Sequence, residues 1–62
     1  MKHMIFVDKM NKQYEVLWSE TGAISYLYED GFEIYKGSLQ GIFKLGLKYY
    51  KTISEESQNE TH

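Results

Sequence analysis

The dipeptide Asp30-Gly31, which lies between two stretches of alternating residues, limits the possible folds of this chain more than any other feature. Residues 24–29 alternate before it, and residues 32–36 alternate after it. A type I′ hairpin turn requires a positive φ at both of its central positions, and an Asp-Gly pair accepts this conformation well. We therefore predict a β-hairpin centred on this pair.

Two further segments, residues 4–9 and 14–19, also have the pattern of strands and precede the hairpin. The first is rich in β-forming residues, and the second alternates large and polar side chains. Polar turns at residues 8–13 and 20–22 separate these segments from each other and from the hairpin. We expect all of these strands to belong to one antiparallel sheet.

Residues 38–53 fit two patterns. As a helix, the segment would begin at an N-cap, Ser38, and carry Lys44, Lys48 and Lys51 on its solvent face. As a strand, its second half alternates apolar residues with lysine, glycine and tyrosine, and its β-forming residues favour this interpretation. We favour the helix because a sheet with one apolar face needs a covering layer, and no other segment can supply it.

The length of 62 residues limits the chain to a single domain. Hydrophobic residues make up 42% of it, which is too many for a disordered chain. We expect an α+β domain over residues 1–53, with a small antiparallel sheet of three or four strands and one helix packed on one face. Residues 54–62 contain no apolar residue, so we expect a flexible acidic C-terminal tail there.

Membrane and export signals are not evident in the sequence. No apolar run approaches the roughly 20 residues that span a bilayer. The apolar stretch at residues 4–7 is too short for the core of a secretory signal. We expect a soluble, cytoplasmic protein with no membrane partner.

Catalytic and metal chemistry lack the residues that they need. The chain has no cysteine, and its two histidines, His3 and His62, lie at opposite ends of the sequence. A catalytic base must be held within hydrogen-bond reach of its nucleophile. All seven basic residues are lysine, and the pI is about 5.6, which disfavours direct binding to nucleic acid. We therefore expect no catalytic residue, no metal and no cofactor.

The large apolar residues indicate how the domain binds a partner. We expect one face of the sheet to turn these residues toward the helix: Tyr14, Val16, Trp18, Ile24, Tyr26, Tyr28, Phe32 and Ile34. The reverse face would then present Leu17, Leu27 and Tyr35 among Glu15, Glu29 and Glu33. Exposed tyrosine and leucine are typical of protein–protein contacts. The partner is either a second copy of the chain or a foreign protein whose basic groove accepts carboxylates spaced like DNA phosphates.

Three short stretches resemble the small phage-encoded uracil-DNA glycosylase inhibitors: Tyr-Leu-Tyr-Glu-Asp-Gly at 26–31, Phe-Glu-Ile at 32–34, and Ile-Phe-Lys-Leu-Gly-Leu at 42–47. Members of that family are short acidic dimers that mimic DNA and hold a protruding leucine of the enzyme in an apolar pocket. The resemblance implies a pocket lined by Tyr26, Tyr28, Phe32 and Tyr35, with Glu29 and Glu33 imitating phosphates. It also implies a helix within residues 31–39 and a strand over residues 42–53.

These observations predict a small non-catalytic protein that binds and inhibits a nucleic-acid-processing enzyme by DNA mimicry, with uracil-DNA glycosylase as the candidate target. We expect a homodimer, located in the host cytoplasm if a phage encodes it. The predicted partner-binding residues are Tyr26, Tyr28, Glu29, Phe32, Glu33 and Tyr35. The alternative is a phage-type anti-defence or regulatory homodimeric interaction module that does not mimic nucleic acid.

Overall fold

The computed structural model describes residues 1–55 of the chain. In chain order, its elements are β1 (Lys2–Val7), β2 (Gln13–Ser19), β3 (Ile24–Glu29), β4 (Phe32–Gly37), α1 (Leu39–Lys44) and β5 (Lys48–Glu55). The strands form one antiparallel sheet in the order β4-β3-β2-β1-β5. The α+β class is as predicted, but the sheet has five strands rather than three or four, and the helix has only six residues.

Strands β3 and β4 form the hairpin that the Asp30-Gly31 pair predicts. The φ angle is 53° at Asp30 and 87° at Gly31. Both angles lie in the left-handed region that a type I′ turn requires. Glu29 and Phe32 pair directly beside the turn. The position of this hairpin is therefore confirmed.

Residues 38–53 contain a helix followed by a strand, so each interpretation of this segment is right for one half. Ser38 caps α1, because its hydroxyl accepts a hydrogen bond from the Gly41 N–H at 3.2 Å. The helix ends at Lys44, and Gly46 has a φ of 91°, which side-chain-bearing residues rarely adopt. The chain turns there, and the β-forming residues beyond the turn pair with β1. The prediction of one continuous helix is therefore wrong beyond Lys44.

The two edges of the sheet are β4 and β5, and α1 connects them across one face. β4 occupies most of the segment 31–39 in which the resemblance implies a helix, so that expectation is wrong. The pairing register shifts once between β3 and β4 and twice between β1 and β5. Such bulges interrupt the hydrogen-bond ladder of an edge strand and hinder its pairing with another chain.

Side chains on the α1 side of the sheet form the core. The buried cluster consists of Met4, Phe6, Val16, Leu27, Ile42 and Leu47. The ring of Phe6 lies 5.5 Å from that of Phe43 and 5.9 Å from that of Tyr49, measured between ring centroids. Ile42 of α1 is fully buried, so this side chain anchors the helix on the sheet.

The side chains of β3 point to the opposite faces from those predicted. Val16 pairs with Leu27, and Leu17 pairs with Tyr26. Directly paired residues share a face of the sheet, so Leu27 faces α1 and Tyr26 faces away from it. The length of the β2–β3 turn is the cause, because a shift of one residue moves every side chain of the next strand to the other face.

The predicted partition of the faces is therefore right in β2 but wrong in β3 and for Tyr35. The side chains of β2 that were expected to face the helix do so. In β3, the predicted helix-facing residues Ile24, Tyr26 and Tyr28 lie on the opposite face. Tyr35, predicted on the reverse face, pairs with Leu27 and packs against the core.

Strand β5 continues two residues past the predicted end of the domain at residue 53. Ser54 pairs with His3, and Glu55 pairs with Lys2. The Lys2 Nζ lies 3.8 Å from the Glu55 carboxylate. The rest of the predicted tail, residues 56–62, lies outside the described residues.

Candidate protein-binding face

The face of the sheet opposite α1 has no covering layer among residues 1–55, and we call it the open face. The strand pairing assigns these residues to it: His3, Ile5, Val7, Gln13, Glu15, Leu17, Ser19, Ile24, Tyr26, Tyr28, Glu33, Lys36, Lys48, Lys51 and Ser54. They come from all five strands. A partner that docks here would therefore contact the whole width of the sheet.

The middle of the open face is apolar. Ile5 is only 7% exposed although no layer covers it. Leu17 on β2 and Tyr26 and Tyr28 on β3 are half-buried on the same face. The ammonium of Lys36 lies 5.6 Å from the centroid of the Tyr26 ring, which holds the lysine stem along the face. The open face thus has an apolar centre of aliphatic and aromatic side chains, which Glu15 interrupts between Ile5 and Tyr28.

The charges of the open face are mixed rather than acidic. Glu15 lies between Tyr28 and Ile5 in the register, and its carboxylate is 3.6 Å from the His3 imidazole. Glu33 lies on the β4 edge, opposite Tyr28. Three lysines occupy the two edges: Lys36, Lys48 and Lys51. Two carboxylates and three ammonium groups do not form the acidic surface that imitation of DNA requires.

A cleft of about 310 Å³ opens beside Tyr28. Its lining residues are Ile5, Gln13, Tyr14, Glu15, Tyr28, Asp30 and Gly31. Two of them, Glu15 and Asp30, carry carboxylates, and their side chains are 53% and 79% exposed. Carboxylates beside an aromatic ring suit the side chain of a lysine or an arginine.

Of the six predicted contact residues, the fold brings Tyr26, Tyr28 and Glu33 together on the open face. Tyr35 lies on the other face, where its hydroxyl donates a hydrogen bond to the Ser38 carbonyl at 3.1 Å. Phe32 lies at the start of β4 and is 74% exposed. The four rings that the resemblance assigns to one pocket therefore do not meet.

Glu29, the remaining predicted contact residue, is engaged within the chain. The ammonium of Lys12 lies 2.6 Å from its carboxylate and 3.8 Å from that of Asp30. The hydrogen bond to Glu29 raises the pKa of Lys12 above its ordinary value. Glu29 would have to give up this ion pair before it could imitate a phosphate.

The turn between β1 and β2 is held by Asp8. Its carboxylate accepts hydrogen bonds from the backbone N–H groups of Met10 at 2.8 Å and Lys12 at 2.9 Å, and from the Tyr14 hydroxyl at 3.0 Å. The bond from the Lys12 N–H, with those from Tyr14 and Met10, lowers the pKa of Asp8. The same contact with Asp8 raises the pKa of Tyr14.

His3 and Ile5 belong to the open face but were not predicted from the sequence as members of it. The apolar run at residues 4–7 has no alternation, so it does not indicate which of its side chains share a face. Ile5 was predictable from strand pairing, because it pairs with Glu15, which was assigned to the reverse face.

Neither a cluster of metal-ligating side chains nor a membrane-spanning helix is found in residues 1–55. No group of three or more His, Cys, Asp or Glu side chains could hold a metal ion there. Within the same residues, no helix is long and apolar enough to cross a membrane. Comparison with models of known protein families, with curated proteins and with solved structures gives no match to this chain.

Proposed function

We propose that this chain is a non-catalytic protein-binding domain that docks a partner protein on its open face. The observation that carries the proposal is the apolar part of that face, which consists of the nearly buried Ile5 and the half-buried Leu17, Tyr26 and Tyr28. Tyrosine rings provide a large contact area with a polar end, and they are enriched in protein interfaces. The lysines at the two edges form a polar rim around this apolar part.

The cleft beside Tyr28 indicates the chemistry of the partner. A basic side chain of the partner would enter it, pair with Glu15, and pack against the tyrosine ring. Enzymes that act on nucleic acids carry exposed lysine and arginine on the surface that binds phosphates. A nucleic-acid-processing enzyme is therefore the partner class that we propose, and the chain would inhibit it by covering that surface.

The proposal does not depend on DNA mimicry. Mimicry needs a row of free carboxylates, whereas Glu29 is paired with Lys12 and three lysines share the open face. Contact through the tyrosines, with one basic side chain in the cleft, needs no such row. Uracil-DNA glycosylase stays the specific target that the resemblance predicts.

A second copy of the chain is the alternative occupant of the open face. Glu33 and Lys51 lie at opposite ends of one row of paired residues across the sheet. If two copies packed face to face about a twofold axis parallel to the strands, Glu33 of each copy would face Lys51 of the other. The same axis would bring Glu15 close to its own copy, and like charges at that distance repel. The central Glu15 therefore favours a foreign partner.

The first test is uracil excision from a duplex with a single uracil by a bacterial uracil-DNA glycosylase. We expect the protein to inhibit excision, and we expect Tyr28→Ala to weaken inhibition by about 30-fold or more if Tyr28 is a hot spot. Tyr49→Ala is the matched control, because Tyr49 is 51% exposed on the α1 side of the sheet.

Full excision in the presence of a tenfold excess of protein would reject this glycosylase as the target. Equal loss of inhibition in Tyr28→Ala and Tyr49→Ala would reject the open face as the contact surface. Sedimentation equilibrium over a dilution series tests the alternative. A dimer that Tyr28→Ala dissociates, and Tyr49→Ala does not, would assign the open face to a second copy.

A further inference from the structure

Three connections of the chain lie at one end of the sheet, which we call the turn end. They are residues 8–12 between β1 and β2, residues 30–31 between β3 and β4, and residues 45–47 between α1 and β5. The register brings them together, because Val7 pairs with both Gln13 and Lys48 at this end. With strands about 4.8 Å apart, the three connections span roughly 17 Å along the sheet.

Each of these connections carries one strongly exposed apolar side chain. Met10 is 84% exposed, Phe32, next to the β3–β4 turn, is 74% exposed, and Leu45 is 57% exposed. These are the three most exposed large apolar residues of the described chain. They lie far apart in the sequence, and only the fold brings them to the same end.

Lysines lie among these three exposed side chains, Met10, Phe32 and Leu45, which we call the apolar tips. Lys9 lies within the first connection, Lys44 and Lys48 flank the third, and none of them makes an ion pair within residues 1–55. The carboxylates of this end are already engaged. Asp8 accepts hydrogen bonds within its own turn, and Glu29 and Asp30 are paired with Lys12. Four lysines, Lys9, Lys12, Lys44 and Lys48, stand against three carboxylates at this end, so the turn end carries a net charge of +1.

We propose that the turn end docks on a lipid bilayer that contains anionic headgroups. Met10, Phe32 and Leu45 would enter the boundary between headgroups and acyl chains, while the lysine ammonium groups stay at the headgroups. A bilayer fits better than a protein surface, because lysine is depleted in protein interfaces and separated apolar tips leave no continuous dry patch. Lysines near an anionic leaflet are attracted to it.

The proposal is independent of the proposed function. Docking at the ends of the strands uses neither Tyr26 nor Tyr28, and Lys48 is the lysine that the open face and the turn end share. The proposal differs from the expectation of no membrane partner, which rested only on the lack of a long continuous apolar segment in the sequence. Apolar tips on separate turns leave no such segment in the sequence.

Co-sedimentation of the full chain with vesicles tests the docking. We use phosphatidylcholine vesicles with about 30% phosphatidylserine, and pure phosphatidylcholine vesicles for comparison. We expect binding to the anionic vesicles and at least about tenfold weaker binding when Met10→Ser, Phe32→Ser and Leu45→Ser are combined. Ile53→Ser, at a site 51% exposed near the other end of β5, is the control and should bind like the wild type.

Charge variants test the second part of the proposal. Lys44→Gln and Lys48→Gln should each weaken binding to the anionic vesicles by about fivefold. Lys36→Gln, near the other end of β4, should not. No binding to anionic vesicles, equal binding to neutral vesicles, or unchanged binding of the triple variant would each overturn the proposal.

A fluorescence measurement tests the geometry without removing any tip. Phe32→Trp introduces an indole at the turn end, whereas the native Trp18 pairs with Lys2 at the other end of the sheet. On vesicles with brominated acyl chains, we expect the added indole to be quenched and the Trp18 signal of the wild type to be unchanged. Quenching of the wild type to the same extent would contradict this orientation.

Discussion

The substitution Gly31→Ala tests the hairpin on which the open face depends. The φ at Gly31 is 87°, and a Cβ built at this position would meet no atom within 4 Å. Any cost of the substitution must therefore come from the backbone conformation itself. A side chain in the left-handed region lowers the free energy of unfolding by about 1–2 kcal/mol. The alanine also reduces the conformational entropy of the unfolded chain, which raises the free energy of unfolding by about 0.4–1 kcal/mol. We expect a net loss of about 1 kcal/mol.

Gly22→Ala is the matched control for this prediction. Gly22 also lies in a turn, but its φ is not positive, and its Cβ would touch only the Ile24 side chain at 3.6 Å, an ordinary contact. It should be neutral or stabilising. In thermal unfolding followed by circular dichroism, Gly31→Ala should lower the midpoint by about 4–8 °C. Equal midpoints for the two variants would refute the type I′ turn, and Gly31→Asn should recover part of the loss, since asparagine tolerates positive φ.

Three further predictions concern the helix, the first turn and the last strand. A Cβ at Gly41 would overlap the Tyr35 hydroxyl, so Gly41→Ala should destabilise less in a Tyr35→Phe background, as a double-mutant cycle in urea would measure. The lowered pKa of Asp8 means that its stabilisation is present above pH 3.8 and is lost as the pH falls through its folded value. Asp8→Asn should therefore flatten the fall of the unfolding midpoint in acid. Truncation after residue 53 should lower the midpoint further than truncation after Glu55, because it also removes two residues that pair with β1.

The hairpin was predictable because its signal is local. Asp30-Gly31 has the backbone preference that the turn requires, whatever the rest of the chain does. The helix of residues 39–44 was predictable from its Ser38 cap, but its end was not. Apolar residues continue past Gly46 at spacings that suit a helix, and only pairing with β1 determines that they form a strand.

The two faces of the sheet were only partly predictable, because register depends on turn geometry. In β3, Ile24, Tyr26 and Tyr28 alternate with Ser25, Leu27 and Glu29, so hydrophobicity favours turning the tyrosines toward the core, whereas the register turns Leu27 there. The β2–β3 turn decides it, and Ala23 within this turn has a φ of 53° that no residue preference indicates. Two of the predicted contact residues, Tyr26 and Tyr28, nevertheless share one face because they are two positions apart.

The most direct test of the open face is site-specific photo-crosslinking in a bacterial host. A photoreactive phenylalanine analogue replaces Tyr28 in one variant and Tyr49, on the α1 side of the sheet, in the other. We expect position 28 to yield one discrete adduct with a foreign protein and position 49 to yield none, with the adduct mass excluding a second copy of the chain. An adduct from position 49 alone, or the same adduct from both positions, would contradict a partner bound on the open face.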